Sequence, residues 1–359
     1  MSDDEPVFEL RSLEKYFDTT SGLVETIRNR LAGGGPRLVR AVDDVDLTLQ
    51  ENQVQGVIGE SGCGKTTLLR TLIGLYEPTG GELRFHGRPT SEFTKSDWKE
   101  FRQQVQIVFQ DPFNSLDPKF SVRRTLAEPL QIHGIDYDRT DIEEMLETVG
   151  LTPADQYIRQ FPNQLSGGEK QRVAIARALI TEPDVILADE PASMLDVSTQ
   201  AEILNLLNEL TDEFGVSMVY ISHDLSTVSY ICDRINVMYL GRIVEKAPTR
   251  ELLADPKHPY TQALIRSIPI PDPHYEREQA TIGGEPGDPI DMPEGCRFKN
   301  RCPERMDVCD RTPLDVAPDG DETRSVACHL YYDHEEEAEP EMIERPSDDP
   351  HPSSAEDTV

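Results

Sequence analysis

The sequence predicts an α/β protein with a mostly parallel sheet. Three observations carry that prediction: short apolar runs suited to buried strands, helical stripes between them, and a glycine-rich turn that joins one strand directly to a helix. Val54-Gln55-Gly56-Val57-Ile58 is the first buried-strand candidate; the turn follows at once, and Thr66 to Leu75 then carries apolar residues at helical spacing. Val185-Ile186-Leu187-Ala188 suits a central parallel strand. Ser198 is placed to cap a helix through Phe214, whose stripe is Ile203, Leu206, Leu207 and Leu210, with Gly215 beyond its end. Val216 to Ile221 is a further β-branched strand. Residues 7–17 and Val42 to Leu49 read as two strands ahead of this core, separated by an inserted surface loop from Thr19 to Arg40. From about Trp98 to Leu179 the pattern is mainly helical, which predicts a helical subdomain over 98–180.

Composition bounds the rest. A mean hydropathy of -0.51 and the lack of any run of 18 apolar residues argue against a membrane span. The start, Met1-Ser2-Asp3-Asp4-Glu5-Pro6, has no basic-then-apolar secretory pattern, so the expected compartment is the cytosol. A net charge of -32 repels nucleic acid and anionic lipid. Only nine of the 35 basic residues are lysine. Distributed acid with scarce lysine fits the cytosol of a salt-accumulating microbe, where concentrated cations screen self-repulsion; the alternative is an ordinary protein with an acidic tail. From Pro269 proline, glycine and acid become frequent, which divides the chain into 1–265, an extension over 266–330 and an acidic tail over 331–359 expected to be disordered.

Gly59-Glu60-Ser61-Gly62-Cys63-Gly64-Lys65-Thr66 fits the G-x-x-x-x-G-K-[ST] pattern in the strand-to-helix setting that the pattern requires. Glycines let successive N–H groups turn inward around phosphate oxygens, the helix adds its positive end, Lys65 reaches the β/γ-phosphates and the Thr66 hydroxyl is a ligand for Mg²⁺. With Thr67, Gly59 to Thr66 form the candidate ATP-binding stretch. Asp189 and Glu190 end the apolar run that begins at Val185, Asp189 as a Mg²⁺ holder and Glu190 as general base toward water. A strand ending in a polar turn would look the same.

Leu165-Ser166-Gly167-Gly168-Glu169-Lys170-Gln171-Arg172 resembles the LSGGQ signature of the ABC ATPases, and residues 7 to about 265 follow that family's order. The resemblance implies a P-loop cassette with a RecA-like core, an antiparallel β subdomain and a helical subdomain. It implies that Gln110 is the Q-loop glutamine, touching γ-phosphate and Mg²⁺, that Ser193-Met194-Leu195-Asp196 is the D-loop, and that His223 is the switch histidine. Phe17 takes the place of the aromatic that stacks on adenine, with Tyr16 as fallback. Ser166, Gly167, Gly168, Glu169 and Asp196 are implied to meet the ATP of a second chain, so that two chains sandwich nucleotide head-to-tail. Glu169 in place of glutamine and Met194 in place of alanine depart from the common pattern.

Phe109-Gln110-Asp111-Pro112-Phe113-Asn114-Ser115-Leu116-Asp117-Pro118 and Asp255-Pro256-Lys257-His258-Pro259-Tyr260-Thr261-Gln262-Ala263-Leu264 resemble the oligopeptide, dipeptide and nickel importers within that family. This implies an ATPase working with a second ATPase subunit and two permease subunits at the cytoplasmic face of the membrane, and indirectly with an extracellular solute-binding protein. Sugar or nickel cargo are alternatives to peptide. A soluble cassette ATPase outside transport would be expected to show two cassettes or a coiled coil and a basic surface, which this chain lacks.

Four of the six cysteines, Cys296, Cys302, Cys309 and Cys328, are separated by five, six and eighteen intervening residues. A cytosolic chain should not join them as structural disulfides. Thiolates in a proline-rich segment with few apolar residues suggest a metal staple, a [4Fe–4S] cluster or tetrahedral Zn²⁺, with free thiols as the remaining possibility. In the importer subfamily the pattern recurs, and a cluster is what the resemblance implies. ATP hydrolysis is expected largely to survive the change of Cys302 to serine. Cys63 and Cys232 read as packing residues.

Overall fold

The computed structural model describes residues 5–18, 38–267, 287, 289–290, 292 and 294–333. Two sheets organise it. The larger has eight strands in the order β11-β12-β10-β9-β3-β8-β7-β6. Its parallel part comprises β6 (Val105–Val108), β7 (Val185–Asp189), β8 (Ser217–Ser222), β3 (Val54–Ile58) and β9 (Arg234–Tyr239). Every residue of β3 and β8 is buried, as expected of strands covered on both faces, and this is why they read as mainly apolar runs. The antiparallel part adds β10 (Arg242–Pro248), then β12 (Ser325–Ala327) and β11 (Asp315–Val316) from the extension.

The smaller sheet is antiparallel, ordered β2-β1-β4-β5, from β1 (Phe8–Asp18), β2 (Leu38–Leu49), β4 (Gly80–Phe85) and β5 (Arg88–Pro89). Helix α1 (Lys65–Leu72) buries Leu68, Leu69 and Leu72 in one apolar cluster with Phe8, Leu10 and Leu49 of the small sheet and Val57, Leu187 and Val219 of the large one. The helix that starts at the glycine-rich turn is thereby held in the core shared by both sheets.

Helix α2 (Lys95–Gln104) joins the same cluster as α1 through Phe101. The short α3 (Pro112–Ser115) follows, then α4 (Val122–His133), α5 (Arg139–Thr148), α6 (Ala154–Tyr157) and α7 (Gly167–Leu179). The apolar faces of α4, α5 and α7 share a second cluster that includes Leu126, Leu130, Ile142, Leu146, Val173 and Ile175. Helices α8 (Val197–Phe214), α9 (Leu225–Ile231), α10 (Thr249–Ala254) and α11 (Pro259–Arg266) complete the set used below.

The helical pattern from Trp98 to Leu179 is interrupted once: Val105 to Val108 is the edge strand of the large sheet, paired with β7. α2 runs into it with no intervening turn residue, which is why periodicity missed it. The inserted loop is expected to begin at Thr19, which with residues 20–37 lies outside the described residues, whereas Leu38 to Arg40 are already strand. The tail from 334 onward also lies outside them. The cap of α8 is Asp196, not Ser198. Its carboxylate accepts the Thr199 N–H at 3.1 Å, and the Ser198 hydroxyl donates to it.

Candidate functional site

The turn after β3 is shaped by close backbone approach. A Cβ on Gly59 would stand 2.1 Å from the Met238 carbonyl oxygen, and one on Gly64, where φ is 112°, 2.0 Å from that of Ala41. Lys65 opens α1, is buried, and its ammonium donates to the carbonyls of Gly59 at 2.7 Å and Glu60 at 3.0 Å. The cation is therefore fixed at the mouth of the ring of N–H groups. Buried Cys63 has its thiol pKa pushed up by burial and packs, as does Cys232.

A cleft of about 610 Å³ opens over this loop, a size suited to a nucleotide. Of the residues expected from sequence, Phe17, Ser61, Gly62, Cys63, Gly64, Lys65, Thr66, Thr67, Gln110, Glu190 and His223 line it. Gly59 and Glu60 sit behind the loop as acceptors for Lys65. Tyr16 turns away and gives its hydroxyl proton to Asp43, which leaves Phe17 as the aromatic at the cleft. Val39, Arg40, Ala41, Leu240, Gly241 and Pro289 form the rest of the wall and were not anticipated. They belong to no motif, and only the meeting of β2, the β9–β10 turn and the extension assembles them.

Glu190 follows β7 with φ at 47°, a left-handed conformation that is strained for a glutamate and is secured by its N–H bond to the Ile221 carbonyl at 2.9 Å. One carboxylate oxygen accepts from Gln110 Nε2 at 2.9 Å; the other is 2.9 Å from His223 Nδ1. Gln110 Nε2 also lies 3.2 Å from Ser193 Oγ, whose hydroxyl donates back to the Glu190 carbonyl at 3.1 Å. A carboxylate oriented by an amide and an imidazole at the floor of a phosphate cleft can accept a proton from water. Asp189 next to it is partly buried, and its pKa is raised by burial and by the charge of Glu190. A partly buried carboxylate beside a second one suits a divalent cation, and with Thr66 and Gln110 in the cleft this donor set fits Mg²⁺.

The signature segment stands elsewhere: Ser166, Gly167, Gly168, Glu169 and Asp196 are not among the residues lining the cleft. Ser166 caps α7 in a reciprocal box. Its hydroxyl accepts the Glu169 N–H at 3.3 Å, and the Glu169 carboxylate accepts the Ser166 N–H at 2.7 Å, a bond that lowers the Glu169 pKa. Glutamate at this position thus has a local structural role. Gly168 is required by packing, since a Cβ there would lie 2.5 Å from Thr199 Cγ2 of α8.

All six cysteines are free thiols. The extension has more apolar partners than its own sequence suggests: Cys296, Phe298 and Cys309 join the apolar cluster of the large sheet. Among the described residues, three or more His, Cys, Asp or Glu side chains are nowhere grouped so as to hold a metal ion, so neither the cluster nor the Zn²⁺ reading of Cys296, Cys302, Cys309 and Cys328 gains support from their arrangement. Burial pushes the Cys296 thiol up to about 11 and Cys328 up to about 12, and raises Cys302. The segment also is not independent of the nucleotide motifs: Arg301 forms a two-pronged ion pair with Glu60 of the loop, at 2.7 and 2.9 Å.

A phosphate loop, a paired-carboxylate strand end and a separate capped glycine pair on one α/β frame define an ATP-hydrolysing cassette. The ABC transporter family model matches residues 42–193, and that of the oligopeptide/dipeptide transporter C-terminal region matches residues 244–309. The oligopeptide transport ATP-binding protein AppF of Bacillus subtilis is 41% identical over 92% of this chain and 99% of its own length. The putative oligopeptide transport ATP-binding protein YkfD of the same organism is 42% identical over 91% and 96%. Among solved structures, the dimeric ATP-binding cassette MJ0796 in a post-hydrolysis state bound to ADP and Pi superposes with a TM-score of 0.57 at 28% identity, over 68% of this chain and 99% of that one. The cbiO1 cassette of Clostridium perfringens gives 0.58 at 25% identity, over 70% and 92%. The chain belongs to the ATP-binding subunits of ABC transporters, of the oligopeptide/dipeptide importer type, and is an ATPase that powers transport.

Proposed function

We propose that this chain energises the uptake of oligopeptides or dipeptides across the cell membrane. The carrying observation is the joint presence of the Gln110–Glu190–His223 constellation and, after it in the same chain, the region matching the oligopeptide/dipeptide transporter C-terminal model. In this reading residues 1–265 are the nucleotide-binding unit, with 266–330 as the importer-type extension. Phe17 stacks on adenine, the Gly59–Thr67 loop holds the phosphates, and Thr66, Gln110 and Asp189 hold Mg²⁺. Glu190 takes the proton of the attacking water while His223 orients the γ-phosphate.

Ser166, Gly167, Gly168, Glu169 and Asp196 serve the ATP of a second ATPase subunit. That reading is supported by their standing outside the chain's own cleft and by the MJ0796 cassette being dimeric. Among the described residues no helix is long and apolar enough to cross a membrane, so attachment is through two permease subunits on the cytoplasmic side, with a solute-binding protein delivering cargo outside. The charge of -32 with nine lysines supports a salt-rich cytosol as the working medium.

A [4Fe–4S] cluster at the four thiols belongs to the same proposal. Cys328 lies within electrostatic reach of Cys296, Cys302 and Cys309, and a cube spreads its ligating sulfurs over separate irons where a single ion draws them to one point. Iron analysis of anaerobically purified protein tests it, and iron-free protein removes it. The transport reading is tested by reconstituting the chain with the permeases encoded beside its gene. ATP hydrolysis should rise when peptide-loaded binding protein is added; stimulation by a sugar or by nickel in place of peptide would overturn the cargo.

A further inference from the structure

Glu60 is the second residue of the phosphate loop, and each of its polar groups is engaged from behind. Its N–H donates to the Tyr260 hydroxyl at 2.9 Å, its carbonyl accepts from Lys65 at 3.0 Å, and its carboxylate accepts both prongs of Arg301. Arg301 is itself locked. Its side chain is 7% exposed and lies over the rings of Tyr239 and Phe298, 5.7 and 5.9 Å from their centroids, in a cluster completed by Tyr260. A guanidinium so enclosed can hold a carboxylate in one geometry.

Four residues earlier on the same segment, Arg297 makes a matching contact on the wall beside the loop. It donates to the Asp43 carboxylate and to the Leu240 carbonyl, and Leu240 with Gly241 and Ala41 lines the cleft. Pro289 reaches the cleft directly, where its carbonyl accepts the Arg40 N–H at 3.4 Å. The cysteine-bearing segment therefore braces the nucleotide cleft at two points, Arg297 just after Cys296 and Arg301 just before Cys302.

We infer that Arg301 is a positioning residue for ATP binding, which through Glu60 holds the phosphate loop in its binding shape, and that Arg297 braces the wall beside the loop, so that the cysteine-bearing segment sets the affinity of the cleft. The loop's N–H groups must converge before phosphate arrives. Anchoring Glu60 removes the freedom that binding would otherwise have to quench. Any change that shifts the Cys296–Cys302 stretch, by metal loading or thiol oxidation, is passed to the loop through this ion pair. The inference rests on the cleft being the ATP site, which Lys65→Ala tests separately: loss of MgATP binding in that variant secures the reading whatever Arg301 does.

The test is MgATP titration calorimetry on the full chain, with melting curves to certify folding. Arg301→Gln and Glu60→Gln should each weaken MgATP binding about tenfold, and the double variant should be no weaker than either single one, because both remove the same contact. In steady-state hydrolysis KM for ATP should rise by about that factor with kcat within about twofold, the mark of lost ground-state binding. Arg301→Lys, which keeps charge but loses the fork, should fall between. Wild-type affinity in folded Arg301→Gln, or additive losses in the double variant, overturns the inference. Should Arg301→Gln fail to fold, Glu60→Gln alone decides, and unchanged affinity in it is fatal to the idea.

Discussion

The phosphate-loop face and the signature face of this chain are finished by opposite means. At the first, side chains from distant segments bind one another: Gln110, Ser193 and His223 gather on Glu190, and Lys65, Tyr260 and Arg301 gather on Glu60. At the second, polar groups are satisfied within a single turn, Ser166 by Glu169 and Asp196 by Ser198 and Thr199. Apolar Met194 and Val197 remain 59% and 83% exposed there. One face is complete inside the chain. The other is a flat, preformed surface whose apolar residues await another molecule, which is what the proposed sandwich requires.

The sharpest way to break that contrast is at its most interlinked residue. Glu190→Gln keeps the size and a hydrogen-bonding oxygen but loses the base, so MgATP affinity should stay near wild type while turnover falls by at least about a hundredfold. Single-turnover hydrolysis at wild-type rate would remove Glu190 from its role. On the signature face, Ser166→Arg should leave MgATP affinity of the isolated chain within about twofold of wild type while hydrolysis by the assembled ATPase pair drops about a hundredfold. A collapse of isolated-chain affinity in correctly folded protein would mean that the two faces are not separate.

A smaller, graded effect should appear at the seam between cassette and extension. His258 is 1% exposed, its Nδ1 accepts the Tyr260 N–H at 3.0 Å, and burial drags its pKa from 6.5 down to about 3. The folded chain keeps the ring neutral where the unfolded chain would protonate it. Unfolding therefore takes up a proton as pH falls from about 6.5 toward 3, and the His258 contribution to stability declines with acid, at up to about 1.4 kcal/mol per pH unit well inside that window. Urea midpoints at pH 6.5 and 5.0, compared with those of His258→Asn, isolate it. Equal acid sensitivity in the two proteins would show that the ring is not buried neutral.

Sequence made the local features legible. Val54 to Ile58 was read to the residue because a strand buried on both faces leaves a run that is apolar apart from Gln55, and the glycines of the loop announce its close backbone approaches. The strand Val105–Val108 was hidden because four residues abutting a helix carry no period of their own. Asp196 was named for a role toward nucleotide while its capping of α8 was given to Ser198, since both residue types suit a cap and only geometry chooses. The extension was misjudged most. Its scattered apolar residues looked too few to fold, but their partners, Tyr239 and Tyr260, lie in the cassette, and no local pattern pairs Phe298 with them.

Glu60 and Arg301 are 241 positions apart, and Asp43 and Arg297 are 254 apart. During synthesis the phosphate loop leaves the ribosome early, and domains begin to fold as their residues emerge at about 5–20 per second. For on the order of ten seconds or more the nascent cassette can therefore hold its loop, its α1 helix and most of its large sheet without the two arginines that fasten the cleft. Strand β10 waits through the same interval with an unpaired edge until Ser325–Ala327 arrives to cover it. A chain cut short before Arg297 would present both faults together, a loosened cleft and an open sheet edge, so the cleft and the edge of β10 are completed only once synthesis has passed Ala327.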